Sequence, residues 1–210
     1  MINNSISFGK KIPITSCQVQ DKTTGNFLPA TLYEYDCKDE QDILEVVFTG
    51  KQWYFSNSII KNMEKKLKLN EIFTENPLLK RSKFRKDPKS KDDYEKKFFV
   101  MQLEDGKTIG LCQGQNQNST FKLDYLESQN KNYRFVGTTI LASLGLRTLK
   151  EENKSITIDS ATREAEDFYT DKCGFIHYTD DTFKLSKRHI RKLIRQTQKE
   201  TNSPIIDLQS

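Results

Sequence analysis

The sequence predicts a mixed α/β sheet. Three observations carry this. The first third and the middle hold alternating or apolar segments bounded by turn formers, the mark of antiparallel strands. The second half alternates strand and helix, which implies a crossover between parallel strands. The 210 residues, 35% hydrophobic with 13 Phe and 8 Tyr, suffice to build a core.

Taken in order, Ile12 to Gln20 and Ala30 to Asp36 are expected strands. The Asp21–Asn26 segment between them is rich in turn residues, so a hairpin is expected. Residues 39–48 show helical spacing at Ile43, Leu44, Val47 and Phe48, after an acidic start. Residues 57–73 form a second expected helix, with Ile59, Ile60, Met63 and Leu67 on its apolar face. The stretch 80–97 breaks the pattern with seven basic residues up to Lys91 and is expected as an exposed basic loop. Phe98 to Leu103 and Thr108 to Gln113 are strands about an Asp105-Gly106 turn. Residues 114–119 are a polar turn. Thr120 to Leu126 is a strand with Phe121, Leu123 and Tyr125 on one face. Residues 137–150 form an apolar helix, and Ser155 to Asp159 a short buried strand. Arg163 to Asp171 is a helix that Gly174 ends. Two short strands, Ile176 to Thr179 and Thr182 to Leu185, surround an Asp180-Asp181 turn. The tail, 187–200, is a basic amphipathic helix with Ile190, Leu193 and Ile194 on one side. The whole is expected to be one domain, 1–210, with its core over about 12–186.

Composition narrows the function. The longest apolar stretches are a few residues, so a membrane-spanning helix of about 20 is excluded. The start lacks the pattern of a signal peptide, and a cytoplasmic location is expected. Cys17, Cys37, Cys112 and Cys173 form no C-x-x-C pair, so they are expected as reduced core residues with no metal site. With two histidines, His177 and His189, a three-histidine site is impossible. The net charge of +5 permits an anionic partner.

The most informative stretch is 133–175. A polar loop turns through Tyr133-Arg134-Phe135-Val136-Gly137-Thr138-Thr139 into the apolar helix. A glycine at such a start admits a ligand close to the backbone, and the free amides with the helix dipole favour phosphate oxygens. Thr138 and Thr139 add hydroxyls. Neither G-x-G-x-x-G nor a P-loop is present.

Arg134-Phe135-Val136-Gly137-Thr138-Thr139 resembles the pyrophosphate loop of the GNAT superfamily of acetyl-CoA-dependent N-acyltransferases, Arg/Gln-x-x-Gly-x-Gly/Ala, departing at Thr139. Thr162 to Phe175 resembles that family's segment Asn-x-x-Ala-x-x-Phe/Leu-Tyr-x-x-x-Gly-Phe. Ala165, Phe168-Tyr169 and Gly174-Phe175 match in spacing, and Thr162 stands at the Asn position. The resemblance implies a GNAT-like fold, a mostly antiparallel sheet with a parallel central pair flanked by helices. It implies that Arg134, Phe135, Val136, Gly137, Thr138 and Thr139 surround the CoA pyrophosphate. Leu126 to Ser128 would pair with the pantetheine arm, and Thr162 would contact the CoA chain. A side chain at 139 either crowds the phosphates or adds a donor.

Tyr169 is the expected general acid, protonating the departing thiolate. The attacking amine must lose a proton, and Glu127 is the expected base with Asp124 second. They face opposite sides of a regular strand. The expected activity is acetyl transfer from acetyl-CoA to a primary amine in a ternary complex, without a metal. The basic patches favour an anionic macromolecule, such as tRNA or an acidic protein, as acceptor. The basic tail also admits a homodimer contact. Two alternatives stand beside this: a GNAT-folded binding protein without catalysis, and a nucleic-acid-binding module using the basic surfaces.

Overall fold

A computed structural model describes residues 11–35, 96–129, 131–151, 153–159, 163–179 and 182–209. The expected helices at 39–48 and 57–73, the basic segment up to residue 95 and the turn at 180–181 lie outside the described residues. The chain divides into two compact units. One joins Pro13–Glu34 to Tyr94–Ser210, and the other joins Met1–Ile12 to Tyr35–Asp93. Apart from the terminal strand residues Ile12 and Tyr35, the elements below belong to the first.

Strands β1 (Ile12–Asp21) and β2 (Phe27–Tyr35) flank a turn closed by Asp21. Its Oδ1 accepts the amides of Thr23 and Thr24 at 2.7 and 3.2 Å, and Gly25 takes φ +76°. Strand β2 starts earlier than expected, because the Asp21 amide donates to the Asn26 carbonyl at 2.9 Å and pairing begins at the turn. Strands β3 (Lys96–Leu103) and β4 (Thr108–Gln117) meet at the expected Asp-Gly turn, where Gly106 has φ +81°. Strand β4 runs four residues past the expected end. Residues 114–117 look like a loop because they are polar, but their backbone pairs with β5 (Thr120–Ser128). The turn shrinks to Asn118-Ser119, at φ 48° and 60°, a two-residue hairpin loop. Gly114 is required because a Cβ there would run into the Phe121 ring and the Lys122 carbonyl.

The remaining elements are β6 (Tyr133–Arg134), α1 (Val136–Lys150), β7 (Ser155–Asp159), α2 (Arg163–Asp167), β8 (Ile176–Thr179), β9 (Thr182–Ser186), α3 (Lys187–Glu200) and β10 (Ile206–Asp207). Strands β6 and β10 were not expected; two residues are too short for a hydrophobic period. The strand order is β10-β1-β2-β3-β4-β5-β7-β9-β8, with β6 paired to β1. Strands β5 and β7 are parallel, joined through α1, and the pairs β3–β4, β4–β5, β7–β9 and β8–β9 are antiparallel. This is the mixed, mostly antiparallel sheet with a parallel pair and flanking helices that was expected.

Helix α1 covers one sheet face. A Cβ on Gly110 of β4 would collide with Ile140, so glycine sets how closely helix and sheet approach. The helix's own Ile140, Leu141 and Leu144 are buried, each worth about 1.5–3 kcal/mol. Helix α3 packs on α1, where a Cβ on Gly145 would come within 2.7 Å of Ile190 Cγ2. Among the described residues no helix is long and apolar enough to cross a membrane.

Candidate active site

The site forms where β5 outruns β7. Their register ends at Leu123↔Ile158, yet β5 continues to Ser128. A bulge sits at this point: Gly114 pairs with Leu123 and Gln113 with Tyr125, so Asp124 is the extra residue. The bulge reverses the alternation beyond it. Partnered residues share a face, so Leu126 returns to the side of Leu123 while Tyr125 and Glu127 join Gln113 on the other. Two expectations are corrected here. Leu123 and Tyr125 do not share a face. Asp124 and Glu127 are not split between faces, because Gln113 Nε2 donates to Asp124 Oδ2 at 3.1 Å. Sequence alternation cannot reveal a bulge. Gln113 was not singled out either; its signal is a polar residue, 3% exposed, inside a buried strand. Its Oε1 has no hydrogen-bond partner.

Glu127 is partly buried near the end of β5. Burial pushes its carboxyl up from an ordinary 4.5 to about 7, against a lowering hydrogen bond from the Ser128 backbone. A carboxyl poised there can take a proton near neutral pH.

Tyr169 comes from the segment after α2. The helix continues there as a π-turn over Phe168–Lys172, with the Cys173 amide donating to the Phe168 carbonyl at 3.2 Å. The extra residue per turn is a device common at functional sites. Gly174, at φ +75°, ends the turn as expected. The Tyr169 ring lies edge-on to Phe168 and Phe175, with centroids at 5.2 and 5.5 Å. It is 7% exposed. Burial pushes the phenol up, and Cys112, Cys173 and Glu127 push it further. It therefore stays protonated at neutral pH and can donate.

The third component is the start of α1. The cap residue Phe135 is left-handed, at φ 69° and ψ 1°. For a bulky residue this costs about 1–3 kcal/mol, a strain that collects at ligand-binding turns. The first intrahelical bond runs from the Thr139 amide to the Phe135 carbonyl at 2.8 Å. Among the described residues nothing accepts from the amides of Val136, Gly137 and Thr138. No side chain caps the helix, and no acid lies in its first turn. The unpartnered amides of the buried Val136 and Gly137 and of the half-buried Thr138 lie at a positive helix end beside the exposed Arg134, a setting that suits an anion.

Two residues of this loop sit otherwise than the sequence suggests. A Cβ on Gly137 would lie 2.9 Å from Phe168 Cζ, so this glycine is required by the aromatic ring that precedes Tyr169. Thr139 is fully buried, its hydroxyl has no partner, and its amide is used within the helix. It neither crowds an exposed site nor offers a donor there. The Thr138 hydroxyl turns back to the Phe135 carbonyl at 3.0 Å. Leu126 and Ser128 lie on β5 beyond the last β7 pair. Thr162 lies outside the described residues.

His177 meets Glu166 at 3.2 Å on the surface, and His189 meets Ser186 at 2.9 Å at the start of α3. No cluster of three or more metal-ligating side chains occurs among the described residues.

No family model matches the chain, and no curated protein matches it by sequence. Solved N-acetyltransferases match its structure at low identity. The PaiA N-acetyltransferase of Thermoplasma acidophilum, solved with coenzyme A, is 14% identical over 74% of this chain and 96% of its own, with a TM-score of 0.48. A chimeric form of the spermidine N-acetyltransferase SpeG of Vibrio cholerae is 11% identical over 77% and 98%, with a TM-score of 0.49.

Proposed function

We propose that this chain is an acetyl-CoA-dependent N-acetyltransferase acting on a primary amine. The observation that carries the reading is the convergence at the end of β5: a carboxyl poised near neutral pH, a protonated phenol close enough to feel it, and a helix start with free amides. The resemblance of 134–139 and 162–175 to the GNAT segments supports it.

In this reading the amides of Val136, Gly137 and Thr138, with Arg134, hold the CoA pyrophosphate. The β5 segment from Leu126 to Ser128 holds the pantetheine arm. Glu127 takes the proton of the ammonium, directly or through a water. The amine nitrogen attacks the thioester carbon, a C–N bond forms and the C–S bond breaks. The thiolate takes the proton of Tyr169, and the second proton that the nitrogen sheds as the amide forms returns to the tyrosine oxygen. The amine acceptor, an anionic macromolecule in our reading, and the action of the whole chain as one domain belong to the proposal.

The test is acetyl transfer to a panel of amines by the full chain and by Tyr169→Phe. Turnover falling by about 10²–10⁴ with acetyl-CoA affinity kept is the expected result. Unchanged turnover removes Tyr169 from the role. Acetyl-CoA binding without turnover on any amine favours a binding protein of this fold.

A further inference from the structure

Helix α3 has two unlike sides. Ile190, Leu193 and Thr197 are buried, with Ile190 seated against Gly145 of α1. The opposite side carries Arg188, Arg191, Lys192, Arg195 and Lys199, all exposed. Their spacing of three and four residues keeps them within roughly 100° of arc on a helix of 3.6 residues per turn. No acid occurs from Lys187 to Lys199. Among the described residues none of the five side chains makes an ion pair or hydrogen bond. The only acid of the helix, Glu200, lies off the stripe and accepts from Gln196 at 3.0 Å. A solvated surface ordinarily intersperses both signs, so five unopposed cations in a line need a cause.

The geometry points to a docking surface for double-stranded nucleic acid, with the stripe laid along a phosphate backbone. From Arg188 to Lys199 the helix rises ~16 Å, or about one cation per 4 Å. A duplex carries one phosphate per about 3.4 Å of axis on each of its two strands, so over the same axial length it presents more negative charges than the stripe has cations. Three of the five are arginines, whose planar forks suit phosphate oxygens. The stripe holds no aromatic residue, so it lacks the stacking platform on which single strands are bound. Contacts of this kind position a duplex without reading its bases. Because α3 is anchored on α1, the cations are held on a rigid rod.

The test is fluorescence anisotropy of the full chain with a labelled mixed-sequence DNA duplex of about twenty base pairs, between about 50 and 200 mM salt. Parallel arms use the matching single strand and polyglutamate. The variant is R191Q/K192Q/R195Q, with thermal unfolding as the check on its fold. The expected result is duplex binding that weakens steeply with salt and exceeds binding to either other probe. The variant should lose on the order of ten-fold in affinity, with its logarithmic salt slope shallower by about 2 to 3. Duplex binding equal in the folded variant overturns the proposal, as does no duplex binding at the lowest salt. Stronger binding of polyglutamate assigns the stripe to an acidic protein and overturns it; stronger binding of the single strand overturns the duplex assignment. None of these outcomes depends on acetyl-CoA, so acetyl transfer stands or falls separately.

Discussion

Glu127 shows how one placement sets both chemistry and stability. Its carboxyl is raised by burial, so the folded chain holds the proton more tightly than the unfolded chain. Stability is therefore undiminished below about 4.5 and is lost as pH rises through about 7. The full cost is on the order of 3 kcal/mol, an upper value because the side chain is only partly buried. Glu127→Gln should thus unfold at higher temperature than the wild type at pH 8, with no gain at pH 4.5. The same substitution should erase an inflection near pH 7 in kcat/KM for acetyl transfer. A wild-type profile flat across that range contradicts Glu127 as the base. The sequence supplied Glu127 and Tyr169 as candidates, one from its strand position and one from the family spacing. It did not supply their common environment, because burial at this point depends on strands and helices distant in the chain.

At the level of elements, helix and strand identities were largely legible wherever periodicity ran long. Strand β7 and helix α3 fall within a residue of expectation, and α1 begins at the expected loop. The failures have separate physical causes. The composition of the polar run 114–117 predicts a turn, whereas backbone pairing with β5 makes it strand. The bulge at Asp124 leaves no trace in residue type. The helix after Arg163 changes to a π-turn at Phe168, a shift of one hydrogen-bond step that hydrophobic spacing does not register. Glycines carry the closest packing between elements. Gly145→Ala brings a methyl group within 2.7 Å of Ile190 and should destabilise the chain by about 1–3 kcal/mol, read by denaturant unfolding. An unchanged midpoint would mean that α3 shifts freely on α1, and would weaken the picture of a rigid basic rod.

At the scale of the molecule, the described sheet buries three thiols far from water. Burial pushes Cys17 and Cys173 up to about 12 and raises Cys112 well above the ordinary thiol value. All three are free and buried, as expected for them, while Cys37 lies outside the described residues. A thiol reagent at pH 8 should leave them unmodified in the native chain and reach them only on unfolding, as mass spectrometry of the tryptic peptides would record. Rapid native labelling of Cys173 would contradict the close packing around Tyr169. That packing matters to the account, because the phenol, the carboxyl and the start of α1 act together only if the end of β5 is held in place.

The most direct measurement is calorimetric titration of the full chain with acetyl-CoA, beside Thr138→Glu. Glutamate in the first turn suits the helix dipole, so the variant should fold. Its charge would stand among the amides that are to receive the pyrophosphate. The wild type should bind, and the variant should lose at least about ten-fold in affinity from like-charge repulsion. Equal binding by both chains, or none by the wild type, would contradict this reading.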